Sequence, residues 1–121
     1  DVWKTMVYRL AKWRNTVSPA IPERVITRPP SAELRPDQLD QDSLPDYEVL
    51  DPILEMYIER DFHPDEIIDK GYQAEDIYKV IRMVDRNEYK RRQAAPGVRV
   101  TGRAFGRDRR YPITSGYSEN R

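Results

Sequence analysis

Three consecutive cations, Lys90, Arg91 and Arg92, follow Tyr89 in the stretch NEYKRRQAAPGVRV and offer the strongest chemistry in the sequence. Ammonium and guanidinium groups neutralise phosphate charge, and a neighbouring aromatic gives a ring to stack on. The cluster therefore suits a phosphorylated ligand with a planar ring. Cations are equally at home at a helix C-terminus, and Pro96-Gly97 marks a helix end just downstream. A third use is contact with nucleic acid, for which a longer basic stripe with repeated aromatics is expected. The residue types alone leave these three uses open.

Other constellations are weaker. With one histidine, no cysteine and no G-x-S-x-G, the familiar nucleophilic sites are missing. His63 precedes Pro64 and a run of acids, which predicts a capping or surface role. The five glycines are scattered and build neither G-x-x-x-x-G-K-S/T nor G-x-G-x-x-G. Asp37, Asp40, Asp42 and Asp46 are ligand types for a hard cation. They lack the glycine and terminal glutamate of an EF-hand loop and read as a solvated loop.

Composition narrows the setting. Across 121 residues, 38% are hydrophobic, 35% charged and ten are proline, which is polar for a self-sufficient globule. Long loops, or surface that another segment covers, are expected. The absence of cysteine rules out disulfides and thiolate metal sites and is compatible with a reducing compartment. No apolar run approaches the about 20 residues of a membrane span and no signal-peptide pattern opens the chain, so a cytoplasmic location without membrane contact is expected. Net charge is zero but uneven. Residues 1–30 hold six Lys/Arg against two Asp/Glu, residues 31–69 two against thirteen, and residues 70–121 thirteen against six. That pattern suggests internal pairing or partner contacts rather than a nucleic-acid binder, which tends to be basic overall.

The elements that must position the cations are helical. DVWKTMVYRLAKWRN places Trp3, Met6, Val7, Leu10 and Trp13 at helical spacing, predicting one buried stripe. It has no good N-cap, and a chain opening this way is expected to be cut from something longer. About thirty residues with six prolines follow, with a short regular turn near Pro22–Arg24. DYEVLDPILEMYIERD returns to helix, with Leu50, Ile53, Leu54 and Tyr57 on one face and Asp51 capping a fresh start at Pro52. HPDEIIDKG starts a short helix that Gly71 stops. QAEDIYKVIRMVDRNEYKRRQ reads as one helix with the stripe Ile77, Val80, Ile81, Val84 and the pairs Glu75–Lys79 and Glu88–Arg92. The tail is loop-like, with one short strand near Val98–Thr101. Three or four helices are predicted in all.

Two stretches are more particular than their chemistry. RPPSAELRPDQLDQDSLPDYEVLDPIL and NEYKRRQAAPGVRVTGRAFGRDRRYPI resemble the C-terminal part of the synthetase domain of bacterial glutamine-dependent NAD+ synthases, and KTMVYRLAKWRN resembles the helix that precedes them. The resemblance runs in order over essentially the whole chain, residues 1–121. It implies a fold that is mainly α in this segment, the C-terminal helical portion of a Rossmann-like α/β adenine-nucleotide-binding domain. Residues 26–45 would be a mobile proline-rich acidic loop that orders over the active site, and 98–121 an extended basic tail. The implied reaction is ATP-dependent amidation of deamido-NAD to NAD+ through an adenylylated intermediate, with magnesium, using ammonia that a separate N-terminal amidase domain releases from glutamine.

Matched position by position, the resemblance implies that Lys4 contacts ATP and that Ser31, where the family usually has threonine, does so through its hydroxyl. Tyr89 and Lys90 match a pair that contacts deamido-NAD. Tyr89 replaces a histidine of the shorter ammonia-dependent relatives, which makes Lys90 the firmer assignment. Asp108, Arg109 and Arg110 fall in GRDRRYPI, near the substrate or a subunit interface. The family's S-G-G-x-D-S pyrophosphate loop, its magnesium-binding acids and its amidase domain have no counterpart among these residues, so these 121 residues alone are expected to be inert. A homodimer or higher homo-oligomer through the synthetase domain is expected, with the stripes at Ile77–Val84 and Leu50–Tyr57 as partner surface. The competing reading is a non-enzymatic helical interaction module. A larger loss of deamido-NAD use from Lys90→Ala than from Arg91→Ala would separate the two.

Overall fold

The computed structural model describes residues 2–28 and 44–117. Among these it holds six α-helices and no strand: α1 (Lys4–Val17), α2 (Glu23–Thr27), α3 (Tyr47–Leu54), α4 (Pro64–Ile68), α5 (Ala74–Arg86) and α6 (Glu88–Arg92). A π-helical turn, Glu55–Glu59, continues α3. The core gathers Leu50, Ile53, Met56 and Ile58 from α3 and its continuation, Ile67 from α4, and Ile77, Val80, Ile81 and Val84 from α5. Each such side chain contributes about 1.5–3 kcal/mol by leaving water. No helix among the described residues is long and apolar enough to cross a membrane.

The α5 stripe is buried as its spacing predicts, and α5 packs on α3 and α4. That corrects the expectation that the Ile77–Val84 and Leu50–Tyr57 stripes form partner surface, because they cover one another within the chain. The exposed apolar face lies on α1 instead. Met6, Val7, Leu10, Trp13 and Val17 are all exposed, and α1 buries no residue at all. The stripe has helical period, but among the described helices α1 packs to any extent only on α2 and α3.

Three local readings are also revised. Pro52 does not open a helix; it sits inside α3, whose N-cap is Asp46. Having no N–H, Pro52 cannot donate to the Glu48 carbonyl four residues back, and a π turn begins three residues later at Glu55. Asp51 caps a different helix. Its carboxylate, only 5% exposed, accepts the backbone N–H of Thr5 at 2.6 Å in the first turn of α1. The missing local cap of α1 is thus supplied from 46 residues away. The long helix predicted over 73–93 breaks at Asn87, which leaves helical geometry at φ −96°, ψ 14° while its side chain donates to the Met83 carbonyl at 2.7 Å. Asparagine competes for backbone hydrogen bonds in this way wherever a helix can end. Finally, Val98–Thr101 is no strand: Val98 and Val100 are exposed and no second strand is there to pair with them among the described residues.

Two terminus readings hold. His63 is the N-cap of α4, accepting the Asp65 N–H at 3.4 Å through Nδ1, while Glu66 Oε2 accepts the His63 N–H at 2.7 Å. Pro64 occupies the first helical position, and Gly71 takes φ +96°, a backbone conformation that side-chain-bearing residues resist. The segment after α6 has no regular structure, yet it folds back on the helices. Arg103 donates to the Ile58 carbonyl at 3.2 Å and pairs with Asp61, and Ala104 is buried.

Candidate functional site

α6 divides the cation cluster by direction. At about 100° per residue, Glu88, Arg91 and Arg92 share one face of a helix, while Lys90 points roughly 200° away from Glu88. Glu88 is 1% exposed and pairs with both arginines, through Arg91 and through Arg92 Nε at 3.1 Å. Arg91 is itself nearly buried. Its guanidinium also donates to the carbonyls of Phe105 and Arg109 at 2.8 and 2.7 Å and lies 4.6 Å from the Phe105 ring centroid. Arg92 reaches the Tyr111 carbonyl at 2.8 Å. Burial works to raise the Glu88 pKa, but hydrogen bonds from Arg91, Arg92 and the Tyr111 backbone outweigh it and hold the carboxyl below its ordinary value. A buried carboxylate thus anchors two arginines, and the arginines tie the returning tail to α6.

Lys90 and Tyr89 are exposed on the other side of this helix, with the Lys90 Nζ 5.9 Å from the Tyr89 ring centroid. The ammonium and the ring are therefore available together to a ligand. Asp108 and Arg110 join Arg91, Arg92, Arg99 and Arg107 around a cavity of about 660 Å³ beside α6. There Asp108 accepts the Ala104 N–H at 2.7 Å and pairs with Arg99 at 3.4 Å. The Ala104 bond holds its carboxyl below the ordinary range against partial desolvation, with Arg99 adding to the effect. Arg109 turns inward: it hydrogen-bonds the Tyr57 hydroxyl, stacks 4.4 Å from that ring's centroid and meets Asp85 at 3.5 Å.

Lys4 opens α1 with its Nζ 5.3 Å from the Tyr8 ring centroid, and it borders a cavity of about 190 Å³ with Trp3, Glu59, Thr101 and Phe105. Phe105 links the two regions, since its ring meets Trp3 at 5.7 Å and carries the Arg91 guanidinium on its other contacts. Ser31, Asp37, Asp40, Asp42 and most of the 26–45 loop lie outside the described residues.

Against known proteins, the family described as NAD synthase matches residues 1–94. The chain belongs to the NAD synthase family. The glutamine-dependent NAD(+) synthetase of Acinetobacter baylyi is 66% identical over 97% of the chain, and that of Aquifex aeolicus 58% over 95%. The glutamine-dependent NAD+ synthetase of Acinetobacter baumannii, solved in complex with adenosine diphosphate, superposes on 100% of the chain with a TM-score of 0.60 and 54% identity. The chain spans about a fifth of the length of these synthetases: 22%, 20% and 21% in turn. The glutamine-dependent NAD(+) synthetase of Xanthomonas campestris is 59% identical over 98% of the chain, so the likeness runs along nearly all of it.

Of the residues singled out in the sequence, the fold keeps Tyr89 with Lys90 and gathers Asp108 with Arg110. It sets Lys4 apart on α1 and gives Arg109 to the interior. Glu88 and Asp51 were missed as structural hubs. The Glu88–Arg92 spacing was a signal for Glu88, but a surface pair and a buried anchor have the same spacing. Asp51 had no local signal, because the N–H it caps is remote in sequence.

Proposed function

We propose that the chain is the C-terminal part of the synthetase domain of a glutamine-dependent NAD+ synthase, acting in the cytoplasm within a Rossmann-like α/β domain. In that reaction the nicotinate carboxylate of deamido-NAD attacks the α-phosphorus of ATP, the α–β phosphoanhydride bond breaks and pyrophosphate leaves. Ammonia from glutamine then adds to the activated carbonyl and AMP departs, giving the amide of NAD+. An acyl phosphate replaces a poor leaving oxygen with a good one, and the residues of this segment serve by binding charge.

Lys90 holds the deamido-NAD, with the Tyr89 ring beside it. Lys4 and Ser31 contact ATP, and Asp108 and Arg110 face the substrate or a neighbouring subunit across the basic cavity. Arg109, committed to Tyr57 and Asp85, supports the tail that carries them. The ADP complex of the Acinetobacter baumannii relative agrees with adenine-nucleotide use. Magnesium is expected to balance phosphate charge in such chemistry, held chiefly by the phosphates themselves with one or two carboxylates. The exposed stripe of α1 is the apolar surface to be covered in the assembled homodimer.

The observation that carries the reading is the 66% identity over 97% of the chain, within which α6 turns Lys90 away from the buried pairs of its neighbours. The test is Lys90→Ala in the full-length synthase. Loss of a charge-assisted contact is expected to raise KM for deamido-NAD by about 10–100-fold, with KM for ATP within about twofold and Tm unchanged. An unchanged KM for deamido-NAD would remove Lys90 from the site. A full-length protein that forms no NAD+ from deamido-NAD, ATP and glutamine would remove the function. Arg91→Ala, the comparison the sequence invites, is no surface control, since Arg91 is buried and binds two tail carbonyls.

A further inference from the structure

A helix of five residues does not hold its own orientation. Isolated helices below about 12–15 residues are marginal in water, so α6 stands where its tertiary contacts put it. It joins α5 through Asn87 alone, whose N–H donates to the Met83 and Val84 carbonyls and whose carbonyl accepts from Lys90 and Arg91, so its direction is handed over by one non-helical residue rather than by an uninterrupted ladder. What remains is the inward face. Glu88 is fully enclosed, Arg91 and Arg92 close on it, and together they take three tail carbonyls, of Phe105, Arg109 and Tyr111, within 2.7–2.8 Å. The tail is anchored in turn by Arg103 on the Ile58 carbonyl and by Arg109 on Tyr57. Lys90 occupies the opposite face of the same one-and-a-half turns.

We propose that Glu88, with Arg91 and Arg92, is a positioning device for Lys90: by clamping residues 105–111 to the inner face of α6, it fixes where the outer face presents its ammonium to deamido-NAD. The inference rests on the assignment of Lys90 to that substrate. Glu88 touches no substrate and acts only through the helix. Its removal therefore moves the substrate contact without deleting it, and the effect falls chiefly on the ligand that Lys90 serves.

The experiment is a double-mutant cycle in the full-length synthase, with Glu88→Gln, Lys90→Ala and the double variant, reading KM separately for deamido-NAD and ATP. Glutamine keeps the shape of Glu88 and removes its charge. Glu88→Gln alone is expected to raise KM for deamido-NAD about tenfold and to leave KM for ATP within about twofold. On the Lys90→Ala background the same change is expected to add less than about twofold, since the group it positions is gone. Equal increases on both backgrounds, or equal increases for both substrates, would overturn the positioning role while leaving Lys90 in the site. No effect of Lys90→Ala would overturn the substrate assignment and the proposal with it. Should Glu88→Gln fail to fold, Arg92→Gln carries the same cycle. Arg92 is 40% exposed, and its loss removes one ion pair and the Tyr111 carbonyl contact while Arg91 stays in place. Additivity in that cycle sinks the proposal on the same terms.

Discussion

At the scale of single residues, charge in this segment is used in two ways that the linear sequence does not separate. Lys90 faces solvent, whereas Glu88 two positions earlier is enclosed and kept ionised by two guanidiniums. Removing one partner of such a buried pair is costly because the other charge stays behind unpaired. The pH dependence follows from the depressed Glu88 pKa. A carboxylate held below its ordinary value of 4.5 contributes stability that is fully present above that pH and is lost as pH falls through its folded value. Wild type and Glu88→Gln are therefore expected to differ in Tm at pH 7 and to draw together as the pH is taken below 4.5 and through the depressed folded value. Thermal unfolding by circular dichroism at the two pH values checks this. A gap that widens in acid would contradict the pairing.

At the scale of elements, each helix terminus is settled by a specific partner. Local termini were legible. His63-Pro64 with Glu66 three positions on makes a capping box, and Gly71 closes the next turn. The α5 stripe was legible for the same reason, since a 3.6-residue period is written in consecutive residues. The Asn87 break was not. Helix formers resume directly after Asn87, and the break appears where the Asn87 amide takes the Met83 carbonyl while Arg91 binds the returning tail at Arg109. Nor was the capping of α1, because the donor Thr5 and the acceptor Asp51 meet only after α1 and α3 have packed. Asp51→Ala is expected to destabilise the fold by about 1–2 kcal/mol through loss of this cap. The loss should be concentrated at the start of α1, where amide hydrogen exchange at residues 4–7 is expected to accelerate more than in α5. Uniform acceleration would show that Asp51 serves the core and not the helix end.

At the scale of the whole molecule, one helix is out of proportion to its surroundings. Periodicity revealed that α1 has an apolar face but not what lies on it, because amphipathicity is blind to whether the covering surface belongs to the same segment. Here Leu10 and Trp13 are 50% and 62% exposed, and the chain accounts for about a fifth of the length of its relatives. Adding Trp13→Glu to the full-length synthase is expected to weaken or abolish assembly, read as a smaller species by analytical ultracentrifugation or as an insoluble product. An unaltered, soluble assembly would show that this face is solvent-exposed in the working enzyme.

Because Asp51 supplies the cap of α1 from another helix, position 3 does not have to be a serine, threonine or aspartate. It holds Trp3 instead, whose indole N–H reaches Glu59 at 2.7 Å and whose ring lies against Phe105. The two positions are thereby coupled through the fold. A drift of Asp51 to a neutral residue could be repaired by a capping side chain at position 3 only by surrendering the tryptophan. The tail would then lose a contact of the very aromatic ring on which Arg91 rests. Neither position can change first without a cost at the far end of the chain.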